Sequence, residues 1–231
     1  MIEVKNAVKK YKKIKAMDDL SFTVKQGRIT ALLGLNGAGK STTLKAIMGL
    51  IKLNSGEILI DGKKVNSDTF QVLSFIPDLS THYPNMTIRE MFEFMAVVYD
   101  NWDNEKASAM LKRFKLTDEK KISELSKGNI ARVKLIVGFS QCPKYLLMDE
   151  PFSGIDIFTR EDFIKTMINY MSEDTTILLT THEIKEIENL ADEVILMEDG
   201  KIINQFNVED VKEQEGLSMV DKIREVYNSE E

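Results

Sequence analysis

The pattern of apolar and polar positions along the 231-residue chain predicts alternating strands and helices. Several strand candidates are apolar throughout, which is typical of strands buried on both faces of a parallel sheet. The predicted strands are Ile2–Val8, Leu20–Val24, Ile29–Leu33, Glu57–Ile60, Val72–Ile76, Tyr145–Met148, Thr176–Thr180, Glu193–Met197 and Lys201–Asn204. The predicted helices are Lys40–Leu50, Ile88–Tyr99, Glu105–Phe114, Gly128–Phe139, Asp156–Met171 and Ile184–Leu190. The alternation indicates an α/β fold.

The alternation stops between residues 84 and 141, where the pattern is helical and no convincing strand appears. Thr87 and Glu90 have the spacing of a capping box that opens the first helix of this block. We therefore expect one domain whose α/β core, residues 1–83 and 142–207, is interrupted by a helical subdomain, residues 84–141. Residues 208–231 form an acidic tail, too short for a second domain, with apolar positions at Leu217, Val220, Ile223 and Val226.

A glycine-rich segment separates the predicted strand at 29–33 from the helix that begins near residue 40. It fits the pattern G-x-x-x-x-G-K-[ST], in which backbone N–H groups and a helix N-terminus face an anion. The residues expected to bind the phosphates of a nucleoside triphosphate are Gly34, Asn36, Gly37, Ala38, Gly39, Lys40, Ser41 and Thr42. Lys40 can reach the β- and γ-phosphates, and the Ser41 hydroxyl can hold Mg²⁺.

Two adjacent carboxylates, Asp149 and Glu150, follow the apolar strand at 145–148. Ligands of parallel sheets bind at the carboxyl ends of the strands, so these acids should lie beside the phosphate-binding segment. We expect Asp149 to hold Mg²⁺, directly or through water. We expect Glu150 to polarise the water that attacks the γ-phosphorus, as a general base does.

Composition excludes some classes of function. The net charge of −6 argues against a nucleic-acid-binding surface. The lysine-rich opening is interpreted as a solvated strand edge; its lysines are Lys9, Lys10, Lys12, Lys13 and Lys15. A single cysteine, Cys142, fits a reducing cytosol, and we expect it to be a small buried side chain. Because no apolar run is long enough to span a bilayer and no signal peptide is present, work at a membrane would require docking onto another chain.

A third motif, Leu125 to Asn129, lies about two dozen residues before Asp149. Within this motif, Ser126 is expected to cap a helix. With this motif in place, the chain resembles the nucleotide-binding subunit of an ATP-binding cassette (ABC) transporter over essentially its whole length. The family signature is Leu-Ser-Gly-Gly-Gln, and here Lys127 replaces the first glycine while Asn129 replaces the glutamine. The resemblance implies a P-loop NTPase core with a small antiparallel β-subdomain and an inserted helical subdomain. It also implies that Ser126 and Gly128 contact the γ-phosphate.

The resemblance assigns roles to further positions. Tyr11 corresponds to the aromatic residue that stacks on adenine, although a strand-edge tyrosine is the alternative. The segment from Ser153 to Asp156 corresponds to the loop that links the two ATP sites of a dimer. His182 corresponds to the histidine that touches the γ-phosphate, the alternative being a structural histidine. Asp78 stands where the family usually has a glutamine that links Mg²⁺ to the helical subdomain, so it is a candidate metal ligand.

Asp78 and the segments 98–103 and 125–128 resemble the ABC-2-type branch of bacterial exporters. This resemblance implies a cytoplasmic ATPase at the inner face of the cell membrane. It pairs head to tail with a second nucleotide-binding subunit, a copy or a close paralogue, and docks on an integral membrane permease. An antibiotic, a bacteriocin or a cytolytic amphipathic peptide is the expected cargo. The candidate docking residues, which are equally compatible with a subdomain core, are Met91, Phe92, Phe94 and Met95.

Other functions are less compatible with the sequence. An importer subunit is the main alternative. A soluble ABC ATPase of translation or DNA repair would carry two cassettes or a long coiled-coil insertion. A P-loop GTPase would need an Asn-Lys-x-Asp motif, which the sequence lacks. A small-molecule kinase would not need the segment from Ser126 to Gly128.

Overall fold

Two β-sheets organise the protein in a computed structural model that describes residues 1–78 and 84–229. The first sheet is antiparallel. Its strands are β1 (Ile2–Tyr11), β2 (Ile14–Val24), β4 (Ser55–Ile60) and β5 (Lys63–Lys64), in the order β2-β1-β4-β5. The long hairpin of β1 and β2 carries the lysine-rich segment, which is largely exposed at its tip, as the sequence predicts.

The second sheet carries the carboxyl ends at which a ligand would bind. Its strands are β3 (Ile29–Leu33), β6 (Leu73–Ile76), β7 (Tyr145–Asp149), β8 (Thr176–Thr181), β9 (Glu193–Glu198) and β10 (Lys201–Asn207). Their order is β10-β9-β3-β8-β7-β6, and only the β9–β10 pair is antiparallel. Because β3, β7 and β8 are neighbours and parallel, the residues that follow β3 and β7 meet at one edge of the sheet.

The helices pack on both sides of this sheet. They are α1 (Lys40–Ile47), α2 (Ile88–Val98), α3 (Asn104–Arg113), α4 (Lys127–Ser140), α5 (Ile157–Tyr170), α6 (Ile184–Ile187), α7 (Val208–Gln214) and α8 (Met219–Asn228). The predicted capping box is confirmed, since Thr87 caps α2 and the Glu90 carboxylate accepts a hydrogen bond from the Thr87 backbone. Residues 88–140 are predominantly helical, as the sequence predicts.

The apolar strands are buried on both faces because alternate side chains enter two different cores. In β7, Leu146 and Met148 pack in a core that includes residues of α4 and α5, whereas Tyr145 and Leu147 pack in a core shared with α1 and the antiparallel sheet. A strand enclosed in this way needs apolar residues at every position, which explains the continuous runs in the sequence.

The structure corrects several details. Cys142 was expected to be buried but is exposed, because the chain turns there with φ of 46° between α4 and β7. Met91 was a candidate docking residue but is 2% exposed, in an apolar cluster with residues of α4 such as Val133 and Val137. The tail is two helices, and α8 buries Met219, Ile223 and Val226, a register in which Met219 replaces the predicted Val220. The predicted boundary at residue 83 and the last two residues of the tail lie outside the described residues.

Candidate functional site

The glycine-rich segment that is predicted to bind phosphate is a tight loop between β3 and α1, held by close backbone approaches. A side chain at Gly34 would lie 2.2 Å from the carbonyl oxygen of Met197, and one at Gly39 would lie 2.0 Å from that of Ala16. Gly39 also has a φ of 105°, which disfavours residues with a β-carbon. The sequence needs glycine at these positions because the loop is pressed against neighbouring strands, and this packing fixes its shape.

Lys40 begins α1 and is buried, with 5% of its surface exposed. Its Nζ donates to the carbonyl oxygens of Gly34, at 2.8 Å, and Leu35, at 3.3 Å. The same nitrogen lies 3.5 Å from the Glu150 Oε1 atom. The ammonium group therefore lies within the loop, beside the carboxylate that follows β7.

Asp149 and Ser41 are brought together by the pairing of β7 with β8 and the start of α1. The Ser41 hydroxyl and the Thr180 hydroxyl each donate to Asp149 Oδ1 at 2.8 Å, and Asp149 is 4% exposed. A hydroxyl and a carboxylate are hard oxygen ligands of the kind that Mg²⁺ prefers. Among the described residues there is no cluster of three or more His, Cys, Asp and Glu side chains able to hold a metal. This donor set fits Mg²⁺, which typically binds one or two protein ligands together with substrate phosphates.

Glu150 is the residue at which the catalytic candidates converge. Its φ is 46°, and its backbone N–H donates to the carbonyl and the hydroxyl oxygens of Thr180, both at 3.1 Å. Its Oε2 lies 2.9 Å from His182 Nδ1 and accepts a hydrogen bond from the His182 backbone N–H at 3.2 Å. This left-handed turn directs the Glu150 carboxylate toward two side chains, the Lys40 ammonium group and the His182 imidazole ring.

Ser126 and Gly128 lie at the start of α4. The predicted cap is confirmed, because Ser126 Oγ accepts a hydrogen bond from the Asn129 N–H at 3.3 Å. A β-carbon at Gly128 would lie 3.5 Å from the Thr159 methyl carbon, so the starts of α4 and α5 adjoin. In the described part of the chain, no hydrogen bond joins Ser126 to the loop between β3 and α1. Tyr11 lies at the end of β1, 46% exposed, with the Lys9 ammonium 5.0 Å from its ring centroid.

Asp78 follows β6 and is exposed. The Lys134 ammonium of α4 donates to the backbone carbonyl oxygens of Pro77, at 2.8 Å, and of Asp78, at 2.7 Å. Burial lowers the pKa of Lys134, while the Asp78 carboxylate acts in the opposite direction. Asp78 and Glu150 line one cavity of about 380 Å³. Lys134 lines both this cavity and a second one of about 210 Å³, which lies between α2, α4 and β6.

The family model "ABC transporter" matches residues 17–153, more than half of the chain. The chain belongs to the ABC transporter family.

Two curated relatives of this ABC protein cover nearly its whole length. The ABC transporter ATP-binding protein YtrB of Bacillus subtilis is 31% identical over 93% of this chain and 74% of its own length. The lipopolysaccharide export system ATP-binding protein LptB of Haemophilus influenzae is 28% identical over 95% of this chain and 96% of its own.

Solved structures agree in fold. The structure of an ATP-binding subunit of an ABC transporter has a TM-score of 0.87 at 27% identity and covers 98% of this chain and 99% of its own. A dimeric structure of a bacterial ABC transporter cassette has a TM-score of 0.79 at 25% identity and covers 90% and 98% of the two chains. The predicted family, fold class and ATPase activity are confirmed: this ABC protein is an ATP-binding subunit and an ATP hydrolase. In residues 1–78 and 84–229, no helix is long and apolar enough to cross a membrane.

Three residues of the ABC site were not singled out from the sequence. Thr180 donates to Asp149 and accepts from the Glu150 backbone, Lys134 holds the segment before residue 79, and Arg160 bridges two segments near His182. The signal for Thr180 was a hydroxyl residue at the carboxyl end of an apolar strand. Lys134 and Arg160 lie within predicted helices, where their basic side chains look like ordinary polar positions.

Proposed function

We propose that this chain hydrolyses ATP to drive an exporter, as one half of a head-to-tail dimer docked on a membrane permease. The observation that carries the proposal is the convergence on Glu150. Lys40 and His182 both contact the Glu150 carboxylate, and the hydrogen-bonded pair of Ser41 and Asp149 includes the residue that precedes Glu150. The start of α4, with Ser126 and Gly128, forms a separate surface that a second chain can supply.

The proposed chemistry uses these groups as follows. Lys40 and the backbone N–H groups from Gly34 to Thr42 bind the β- and γ-phosphates. Glu150 accepts the proton of the water that attacks the γ-phosphorus, and the bond to the β–γ bridging oxygen breaks to give ADP and phosphate. His182 holds the Glu150 carboxylate and contacts the γ-phosphate. Ser41 and Asp149 would hold Mg²⁺, with Asp78 approaching it through water, and the ion would neutralise part of the triphosphate charge.

The dimer completes each ATP site in this proposal. Tyr11 stacks on the adenine, and Ser126 and Gly128 of the second chain contact the γ-phosphate. The dimeric structure of a bacterial cassette with a TM-score of 0.79 supports dimerisation. The second chain is a copy or a close paralogue. ATP binding then closes the dimer, and loss of the γ-phosphate opens it.

The permease is proposed to dock on the helical subdomain from the cytoplasmic side of the cell membrane. Phe94 and Val97 of α2 are 43% and 85% exposed, and Phe94 and Met95 line the cavity of about 210 Å³. Phe92 is half-buried against Trp102, so it supports this surface more than it forms it. Nucleic acid is not a proposed partner.

Two observations favour export over import. The relative LptB is named as part of an export system. The aspartate at position 78 is a feature in which this chain resembles the ABC-2-type branch. The proposed cargo is an antibiotic, a bacteriocin or a cytolytic amphipathic peptide. Identifying the membrane protein that co-purifies with this chain separates the two directions. A permease paired with an extracytoplasmic binding protein would favour an importer.

The double substitution Ser126→Ala with Gly128→Asp tests the dimer. A carboxylate facing the γ-phosphate of the partner's ATP should block closure by like-charge repulsion. We expect ATP binding to the single chain to be nearly unchanged and ATP-dependent dimer formation to be lost. Ser108→Asp is the matched control, since it adds the same carboxylate at an exposed helical position of α3. A double variant that still dimerises on ATP would overturn the head-to-tail arrangement.

A further inference from the structure

Arg160 joins two segments that both approach the catalytic residues. It lies in the first turn of α5, just after the loop formed by residues 153–156, and its side chain is 18% exposed. Its Nε donates to the carbonyl oxygen of Ile155 at 3.0 Å. One terminal nitrogen lies 2.9 Å from Glu183 Oε1 and the other 3.3 Å from Glu186 Oε1. One guanidinium therefore holds the loop backbone and two carboxylates together.

The two carboxylates belong to the segment that carries His182. Glu183 is the next residue, and α6 is a helix of only four residues, Ile184–Ile187. The Glu183 side chain does not cap this helix, because its carboxylate is paired with Arg160 instead. A single helical turn has little stability of its own, so its position depends on such contacts. Arg160 is thus a main polar support of the segment that places His182 against Glu150.

The loop held by Arg160 is also fixed to the catalytic strand end. The Ser153 N–H donates to the Glu150 carbonyl oxygen at 3.0 Å, and Asp156 caps α5 through the Thr159 N–H at 3.0 Å. Gly154 has a φ of 69°, and a side chain there would meet open space, so the turn faces away from the chain's own core. The 153–156 loop is therefore open to contact on its outer side, while its backbone is hydrogen-bonded to Arg160 through the Ile155 carbonyl.

We propose that Arg160 is a positioning residue that transmits the state of the 153–156 loop to His182, and so makes hydrolysis at Glu150 sensitive to what contacts that loop. This rests on the proposed function, in which a second cassette contacts the loop. A displacement of Ile155 moves the guanidinium, which moves Glu183 and the adjoining His182. A charge-assisted network of this kind acts as one unit, because each bond fixes the geometry of the next.

The test compares Arg160→Met with Arg160→Lys and with a control, Arg113→Met. Arg113 donates to Thr166 near the other end of α5 and touches none of the catalytic residues. We expect Arg160→Met to lower kcat about tenfold or more, because misplacing a catalytic group by about 1 Å is enough for such a loss. The KM for ATP should stay within about threefold, since the phosphate loop is untouched. We also expect Arg160→Met to lose the cooperative dependence of the rate on ATP concentration. Arg160→Lys should recover part of kcat. Arg113→Met should change neither kcat nor this cooperativity.

A double-mutant cycle with Glu183→Gln measures the coupling directly. In the Arg160→Met background, Glu183→Gln should add little further loss, because the two residues act as a pair. Additive losses, or an unchanged kcat in Arg160→Met, would overturn the inference. A separate measurement, the ATP-driven dimerisation of Glu150→Gln with Arg160 intact, tests the proposed function by itself. If that dimer forms and Arg160→Met keeps full kcat and cooperativity, only the role of Arg160 is wrong.

Discussion

Lys134 offers a quantitative test of how the fold holds the segment that ends in Asp78. Its ammonium donates two hydrogen bonds to backbone carbonyl oxygens, at 2.8 and 2.7 Å. Lys134→Met keeps the apolar stem of the side chain and removes only the charged donor. The substitution leaves the carbonyl groups of Pro77 and Asp78 without this partner.

The magnitude follows from these contacts. A hydrogen bond to a charged group contributes about 1.5–3 kcal/mol, and two such bonds are lost. Methionine avoids the cost of desolvating the ammonium, the same burial effect that lowers the pKa of Lys134, and this offsets part of the loss. The carbonyls also regain some water at this half-buried site. We expect a net destabilisation of about 1–3 kcal/mol, which corresponds to a melting temperature lowered by about 2–12 °C for a chain of this size.

Urea unfolding at equilibrium, followed by circular dichroism, measures this difference. Lys165→Met is the matched control, because Lys165 is a 68% exposed lysine paired at 3.7 Å with Glu161. An exposed pair of this kind is worth about 0–1 kcal/mol, so the control should differ little from the wild type. If Lys134→Met is as stable as the control, the two hydrogen bonds do not hold this segment and the reasoning fails.

Three further predictions concern the ATP site. Lys40→Ala should abolish ATPase activity, because the β- and γ-phosphate charge loses its main counter-ion; normal phosphate release, measured with the membrane partner present, would contradict the assignment. Gly34→Ala should displace the phosphate loop, since its β-carbon would lie 2.2 Å from a carbonyl oxygen, and so weaken ATP binding in calorimetry; unchanged affinity would show that the loop tolerates the shift. Asp78→Ala should keep ATP affinity within about tenfold, roughly 1.4 kcal/mol, yet lower the stimulation of hydrolysis by the permease; unchanged stimulation would leave Asp78 a local role in the turn.

The parts of the site that sequence predicts well are those fixed by local chemistry and by a general rule of topology. The phosphate loop follows from its glycines, and the neighbourhood of Ser41 and Asp149 follows from the shared edge of parallel strands. The helical block and the cap at Ser126 follow from periodicity and capping residues. The loop, the helices and the cap depend on residues close together in sequence, whereas the Ser41–Asp149 pair depends on the topological rule alone.

Features that arise from strand pairing, from helix packing or from an unusual turn were missed or shortened. The strand β1 runs to Tyr11, beyond the predicted end at Val8, because pairing with β2 carries its polar lysine-rich half into the hairpin. Arg160 and Lys134 have roles only because α5 and α4 pack where they do. Cys142 is exposed because of a left-handed turn that no residue type in the sequence announces.

The most direct test of the account is the oligomeric state of Glu150→Gln with ATP, measured by size-exclusion chromatography with light scattering. The glutamine keeps the shape of Glu150 and removes the base, so ATP should remain unhydrolysed at both sites. We expect an ATP-dependent particle of about twice the 26.4 kDa mass of one chain, with no phosphate released. A variant that binds ATP yet stays at the mass of one chain, or that hydrolyses ATP at the wild-type rate, would contradict it.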